Sequence, residues 1–110
     1  DRVPDTAPAV DWTTAQTWEF FPLDDAAFPA VSLAREAGSR CRTAPAVYNA
    51  ANEMCVEAFR QGRIGFTAIV DTVADVLGRH DVGSTGTLSL DDVLGADAWA
   101  RETTAALLDT

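Results

Sequence analysis

The sequence predicts a mainly α-helical fold: a four-helix bundle-like domain over residues 30–110, preceded by an extended arm over residues 1–29. Three observations support this fold class. Four of the five prolines fall before residue 30, apolar residues recur at three- and four-residue steps after it, and glycines interrupt that pattern at intervals. Proline removes a backbone donor, whereas the three- and four-residue spacing places side chains on one helical face. A chain of 110 residues is long enough for one such core.

The arm contains a segment, residues 13–21, that mixes threonine with aromatic residues. Such a composition is typical of a strand, so one short strand is predicted here. A single strand cannot satisfy its own backbone hydrogen bonds, and the sequence offers no obvious second strand. We therefore expect the arm to pair with a neighbouring domain or another subunit.

The first two predicted helices are bounded by proline and glycine. The first runs from Ala30 to Ala37 and closes at Gly38, because glycine commonly ends a helix in a left-handed conformation. Thr43 is predicted to cap the second helix, with a proline tolerated in the first turn. Gly62 is predicted to end this second helix, whose apolar face makes it the centre of the core. The predicted face consists of Ala44, Val47, Tyr48, Ala51, Met54, Cys55, Ala58 and Phe59.

Two further helices follow. Thr67 is the predicted N-cap of the third helix, which ends at Gly78, and Ser89 with Asp92 resembles a capping box at the start of the fourth. The fourth helix is predicted over residues 90–108. Its predicted inner stripe consists of the apolar residues at helical spacing, namely Leu90, Val93, Leu94, Ala98, Ala105 and Leu108.

The charge of the chain argues against several partners. The formal net charge is -9, and the eight basic residues are all arginine and mostly scattered. Nucleic acids and anionic membranes both require clustered cationic groups, so neither is an expected partner. No apolar run approaches the length that a membrane span needs, and the first residues lack the pattern of a secretion signal. A cytoplasmic location is the expectation.

The residues most often used for chemistry are sparse. Cys55 lies within a helical pattern and is predicted to be a buried structural thiol, while Cys41 lies in the preceding loop. The single histidine, His80, stands at a helix end, where a stabilising positive charge is the commoner role. The pairs at 24–25 and 91–92 are adjacent carboxylates, which favour turns and helix starts. No phosphate-binding loop is present, so no catalytic, cofactor-binding or metal-binding residue is assigned.

The most distinctive polar cluster is the segment NAANE, with Asn49, Asn52 and Glu53 inside the second helix. Asparagine is a poor helix former because its amide competes for backbone hydrogen bonds. These residues either contribute to catalysis or ligand binding, or they satisfy exposed backbone groups of a neighbouring loop or helix end. Structural use is preferred, because no nucleophile, cation or second carboxylate stands nearby in the sequence.

The segment RTAPAVYNAANEMCVEAFRQGRIGFTAIVDTVADVL, residues 42–77, closely resembles the 1-deoxy-D-xylulose 5-phosphate reductoisomerase family. The opening DRVPDTAPAVDW, the segment WEFFPLDDAAFPAVSLAREAG and the closing SLDDVLGADAWARE resemble that family too. The resemblance therefore spans nearly the whole chain. Each piece alone would be weak, but their order makes the match specific.

The resemblance implies the C-terminal helical domain of that enzyme together with the linker before it. A parent of this family is a cytoplasmic homodimer that uses NADPH and Mg or Mn to rearrange and reduce its sugar phosphate in isoprenoid synthesis. The cofactor, metal and substrate residues of the family lie in its other domains, and none maps onto this chain. The expected partner is the central catalytic domain, which the segment Thr17 to Phe21 should border.

Three functions remain open from the sequence. In the first, the domain is a scaffold that braces the catalytic domain and performs no chemistry. In the second, it is an independent interaction module that docks on another protein through Trp12, Trp18 and Phe21. In the third, it is a degenerate paralogue that kept only the helical end.

Overall fold

The computed structural model describes residues 9–83 and 86–109. Its fold is mainly α-helical, as predicted, with four helices in these ranges: α1 (Ala30–Arg40), α2 (Ala44–Arg60), α3 (Phe66–Arg79) and α4 (Leu90–Leu108). Among the described residues, no helix combines the length and the apolar character that crossing a membrane would require.

Helix α2 is the centre of the bundle, because it packs most extensively against α4 and α3 and also contacts α1. The predicted inner face of α2 is largely confirmed, although Phe59 is exposed and Ala50 was missed. Small side chains dominate this face, which lets neighbouring helices approach closely. The buried core consists of Ala37, Ala44, Val47, Ala50, Ala51, Cys55, Val73, Val76, Leu77, Ala96 and Ala100.

The predicted inner stripe of α4 is only partly correct, because Leu108 packs against the core but half of the stripe is exposed. Leu90, Leu94 and Ala98 are exposed, whereas the buried residues of this helix are Ala96, Ala100 and Thr104. The Thr104 hydroxyl donates to the Ala100 carbonyl at 2.7 Å, so burial leaves that polar group satisfied. The prediction followed the largest apolar residues. In the structure, α4 instead turns the face with its smallest side chains towards α2, because small side chains permit the close contact.

The connection between α1 and α2 also differs from the prediction. Helix α1 continues through Gly38 to Arg40, and the left-handed backbone falls on two non-glycine residues, Cys41 (φ 58°) and Arg42 (φ 53°). Side-chain hydrogen bonds hold the chain on both sides of this turn. Arg40 donates to the Leu77 carbonyl at 2.8 Å, and Arg42 donates to the Val82 carbonyl at 3.0 Å. Such tertiary contacts can offset an unfavourable backbone conformation.

Of the predicted helix caps, that of α4 is confirmed, that of α3 is wrong, and that of α2 lacks its side-chain hydrogen bond. The capping box at α4 is confirmed, since Ser89 N donates to Asp92 Oδ2 at 2.9 Å and Asp92 N donates to Ser89 Oγ at 3.1 Å. Thr67 is not the N-cap of α3, because the helix begins at Phe66 after Gly65. Thr43 holds the N-cap position of α2, but its side chain makes no capping hydrogen bond.

The short strand predicted at residues 13–21 is not present, and the described part of the chain contains no strand at all. The arm is instead irregular and held by local contacts, such as the Thr13 amide donating to Asp11 Oδ1 at 2.9 Å. A strand requires a partner with free backbone groups, and the described residues supply none.

Leu77 provides a test of the core, because its side chain is 1% exposed whereas that of Leu94 is 57% exposed. Leu77→Ala is expected to lower the free energy of unfolding by about 2–5 kcal/mol, since it removes buried apolar contacts and leaves a cavity. Leu94→Ala, the matched control, should change it by less than about 0.5 kcal/mol. Urea denaturation followed by circular dichroism measures both values. An equal decrease in the free energy of unfolding for the two variants would contradict the assignment of Leu77 to the core.

The two cysteines are expected to react with a thiol reagent at very different rates. Cys55 is buried, as predicted, whereas Cys41 is exposed, and burial raises the pKa of the Cys55 thiol. Because the thiolate is the reactive form, Cys55 should react only after unfolding. Titration with Ellman's reagent should release one equivalent rapidly in buffer and a second in denaturant. Fast release of two equivalents in buffer would contradict the burial of Cys55 in α2.

Candidate functional site

Part of the predicted polar cluster forms a bridge between α2 and α4. Asn49 Nδ2 donates to Glu53 Oε1 at 3.0 Å, one turn along α2. The other oxygen of Glu53 accepts from Arg101 Nη2 at 2.7 Å, and Arg101 Nε donates to Asp97 Oδ2 at 2.8 Å within α4. The four side chains therefore bond to one another. Their partners are side chains, not the backbone groups that the sequence suggested.

The charges of this bridge stabilise one another. The hydrogen bond from Arg101, followed by that from Asn49, lowers the pKa of the Glu53 carboxyl, while Asp97 and then Glu53 raise the pKa of Arg101. Glu53 is consequently ionised at neutral pH and acts as a fixed acceptor. The ion pair is substantially exposed to solvent, so it contributes modestly to stability.

Asn52, the third residue of the predicted cluster, lies elsewhere. It lines an apolar groove between the end of the arm, α2 and α3, together with Val56, Phe66, Ile69 and others. Its half-buried amide makes no hydrogen bond to any described residue. The structure thus brings Asn49 and Glu53 together and separates them from Asn52.

A second polar site surrounds His80, at the C-terminal end of α3. His80 Nε2 lies 2.8 Å from Thr43 Oγ1, and its ring stacks against Trp99 with 5.1 Å between centroids. Burial lowers the pKa of His80, with a smaller opposing effect of Asp81 and a further lowering by Arg40. The neutral imidazole is therefore favoured. The expectation of a stabilising positive charge here is not supported, because α3 ends in a packed contact.

An open pocket of about 280 Å³ adjoins His80 and is lined by polar groups that include Arg42, Asp81 and Asp92. Arg42 also donates to the Gly86 carbonyl at 3.0 Å, which ties the loop before α4 to the bundle. Thr43 and Arg42 were not singled out as site residues by their sequence pattern. Only their unusual turn brings them to His80, 37 residues away in the case of Thr43.

The adjacent carboxylate pairs take the roles predicted for them. Asp24 Oδ1 accepts from the amides of Ala26 and Ala27 at 3.1 Å, which makes a turn, and Asp92 completes the capping box of α4. Within residues 9–83 and 86–109, no group of three or more histidine, cysteine, aspartate or glutamate residues could hold a metal ion.

These features define a small all-α domain whose polar side chains brace its helices and whose aromatic arm extends from the first helix. The family described as the DXP reductoisomerase C-terminal domain matches residues 1–103. The chain belongs to this family, as its resemblance predicted.

Relatives in several bacteria bear the name 1-deoxy-D-xylulose 5-phosphate reductoisomerase. The protein of Kitasatospora griseola is 63% identical over 102 residues, which are 92% of this chain and 26% of that protein. The protein of Streptomyces coelicolor is 59% identical over 102 residues, covering 92% of this chain and 24% of the relative. The chain therefore spans about a quarter of the length of these relatives.

A solved structure has the same fold. It is the 1-deoxy-D-xylulose 5-phosphate reductoisomerase from Zymomonas mobilis in complex with NADPH, which superposes with a TM-score of 0.79 at 35% identity. The match covers 100% of this chain and 29% of that one. The likeness thus extends over the arm as well as the four helices.

His80 is the only histidine of the chain, so its NMR titration can be assigned without ambiguity. Its midpoint is expected below 6.5 in the folded chain and near 6.5 in urea. Because the unfolded state binds the proton more readily, the contribution of His80 to stability is present above 6.5 and is lost as the pH falls through the folded pKa. A folded midpoint above 6.5 would contradict the packing against Thr43 and Trp99.

The ion pair between Glu53 of α2 and Arg101 of α4 should make the free energy of unfolding depend on pH. A lowered carboxyl pKa contributes stability above the unfolded pKa, near 4.5, and loses it as the pH falls through the folded value. Glu53→Gln is therefore expected to be less stable than wild type at pH 7 and to approach wild type in acid. Urea denaturation at a series of pH values measures this difference. Glu102→Gln, an exposed substitution on α4, is the control and should follow the wild-type curve throughout.

Proposed function

We propose that this chain is the C-terminal structural domain of a 1-deoxy-D-xylulose 5-phosphate reductoisomerase. The observation that carries the proposal is the family match over residues 1–103, supported by relatives that bear this name. The arm, residues 1–29, is the linker from the central catalytic domain, and residues 30–110 are the helical domain. The start of α1 at Ala30 supports this boundary.

The parent enzyme converts its substrate to 2-C-methyl-D-erythritol 4-phosphate, in the non-mevalonate route to isoprenoids. It requires NADPH and a divalent metal, Mg or Mn. The NADPH bound by the Zymomonas mobilis relative supports the choice of cofactor. The parent is a cytoplasmic homodimer, and its cofactor, metal and substrate sites lie in the domains that precede this one.

The role of the domain is to brace the catalytic domain, with no catalytic, cofactor-binding or metal-binding residue of its own. The bridge of Asn49, Glu53 and Arg101 supports a structural use of these polar groups, because each is engaged by another side chain of the bundle. A group committed to such contacts is poorly placed to bind substrate as well. Packing of α4 on α2 holds the solvent-facing surfaces of these two helices in a fixed orientation relative to each other.

A second candidate function is an independent interaction module. It is favoured by the exposure of Trp12 (87%), Trp18 (68%) and Phe21 (82%), because large exposed apolar side chains mark interfaces. The two candidates differ in partner. A reading frame upstream of Asp1 that is long enough for roughly two further domains favours the reductoisomerase, and a start codon immediately before Asp1 favours the module.

Calorimetry with NADPH tests the proposal directly. The 110-residue chain should give only the heat of dilution, whereas the full-length parent should bind NADPH and oxidise it with 1-deoxy-D-xylulose 5-phosphate and Mg²⁺ present. Saturable binding of NADPH by the isolated chain would refute the structural role. A full-length parent that lacks the reductoisomerase activity would refute the identity of the parent.

A further inference from the structure

The apolar groove between the arm, α2 and α3 has the properties of a docking site. Its volume is about 240 Å³, which exceeds the roughly 150 Å³ apolar cavity known to bind a benzene ring in another protein. The main lining residues are Phe28, Asn52, Val56, Phe66, Ile69 and Val70. The groove is thus large enough to receive an aromatic or branched apolar side chain.

The composition of the groove separates it from the rest of the surface. None of its lining residues is charged, although 23% of the chain is aspartate, glutamate or arginine. The pocket beside His80 is different, since Arg42, Asp81 and Asp92 line it. Depletion of charged residues at the centre of a surface patch is typical of protein interfaces.

The groove is also continuous with other exposed apolar side chains. Phe28 and Phe66 are 55% and 65% exposed at its edges, and Phe66 packs edge-on against the exposed ring of Phe59 at 5.9 Å between centroids. Trp18 and Phe21 of the arm are exposed as well. Scattered exposed apolar residues need no explanation, but a continuous apolar surface marks an interaction site.

One wall of the groove is the root of the arm itself. Residues 27–30 line it, and the Tyr48 hydroxyl of α2 donates to the Ala30 carbonyl at 3.1 Å, which fixes this wall to the bundle. Whatever precedes the arm in the polypeptide is therefore joined to this wall through residues 1–26, and this length of chain limits how far from the groove it can lie. Tethering raises the effective concentration of the tethered part at the site far above that of any free partner.

We propose that this groove receives an apolar side chain and the adjoining backbone from the domain that precedes the arm in the same polypeptide. The inference rests on the proposed function, because the family is a C-terminal domain and the matched segment is only 26% of the Kitasatospora griseola relative. The remainder of such a protein precedes this domain in the polypeptide.

Asn52 gives the groove its polar specificity. Its half-buried side chain has no hydrogen-bonding partner among the described residues, and such an amide in the lining of an apolar groove is suited to a backbone amide or carbonyl of the docked segment. Asn49, one turn earlier, is already bonded to Glu53. On helix α2, Asn49 thus bonds within the bundle, and Asn52 is available to the docked segment.

The test uses the full-length parent protein with a photo-crosslinker, Phe66→p-benzoylphenylalanine, at the edge of the groove. Illumination should produce cross-links within one polypeptide, which mass spectrometry should map to the domain before the arm. The control is Leu90→p-benzoylphenylalanine, at a position on α4 that is 72% exposed and lies outside the groove. Its yield of such cross-links should be several-fold lower. Covalent dimers, or equal yields at both positions, would overturn the proposal.

The role of Asn52 is tested in the same cross-linking protein. Asn52→Ala should lower the yield from position 66 several-fold, whereas Asn49→Ala, the matched control, should leave it unchanged. Equal effects of the two substitutions would overturn the assignment of Asn52. Reductoisomerase activity of the unsubstituted full-length parent separates the two levels of inference. An active parent whose position-66 variant gives no intramolecular cross-link refutes only the groove, and an inactive parent whose variant gives the cross-link refutes only the proposed function.

Discussion

The close approach of α2 to α3 and α4 is the constraint on which the other features of the domain depend. It is made possible by small buried side chains, among them Ala51 and Cys55 of α2 and Ala100 of α4. Larger residues at these positions would push the helices apart, because a packed core has no room for added methylene groups. The same contact brings Arg101 within reach of Glu53, and it holds Trp99 against the ring of His80. Packing of small residues thus determines which polar groups meet.

The polar side chains of the NAANE segment face two different neighbours because of their spacing on the central helix. Residues four apart lie on one face, so Asn49 and Glu53 meet each other and then Arg101 of α4. Asn52 is adjacent to Glu53 in the sequence, so its side chain lies about 100° further around the helix, and it lines the groove beside α3. One polar segment therefore serves both internal bracing and a surface that we propose as an interface. This division accounts for asparagine in a helix interior, where it is otherwise unfavourable.

The domain is consistent with a structural part of a multidomain enzyme. Its own core is small, yet it exposes aromatic rings along the arm and around the groove, including those of Trp18 and Phe66. Burying such rings against a preceding domain would contribute the apolar contact that the arm lacks, and aromatic side chains dominate the energetics of many interfaces. The arm would then have a partner for the backbone groups that no strand satisfies among the described residues.

The sequence by itself determined the helical class, the order of four helices, the capping box at Ser89 and the family, because these depend on local spacing, local hydrogen bonds and matching segments. Only the tertiary structure decided the phase of α4, the left-handed turn at Cys41 and the contact of Thr43 with His80. Each depends on which neighbour a side chain meets across the bundle. Hydrophobic periodicity identifies a face, but the closest helix contact selects the smallest side chains, and long-range hydrogen bonds hold a backbone that local preference disfavours.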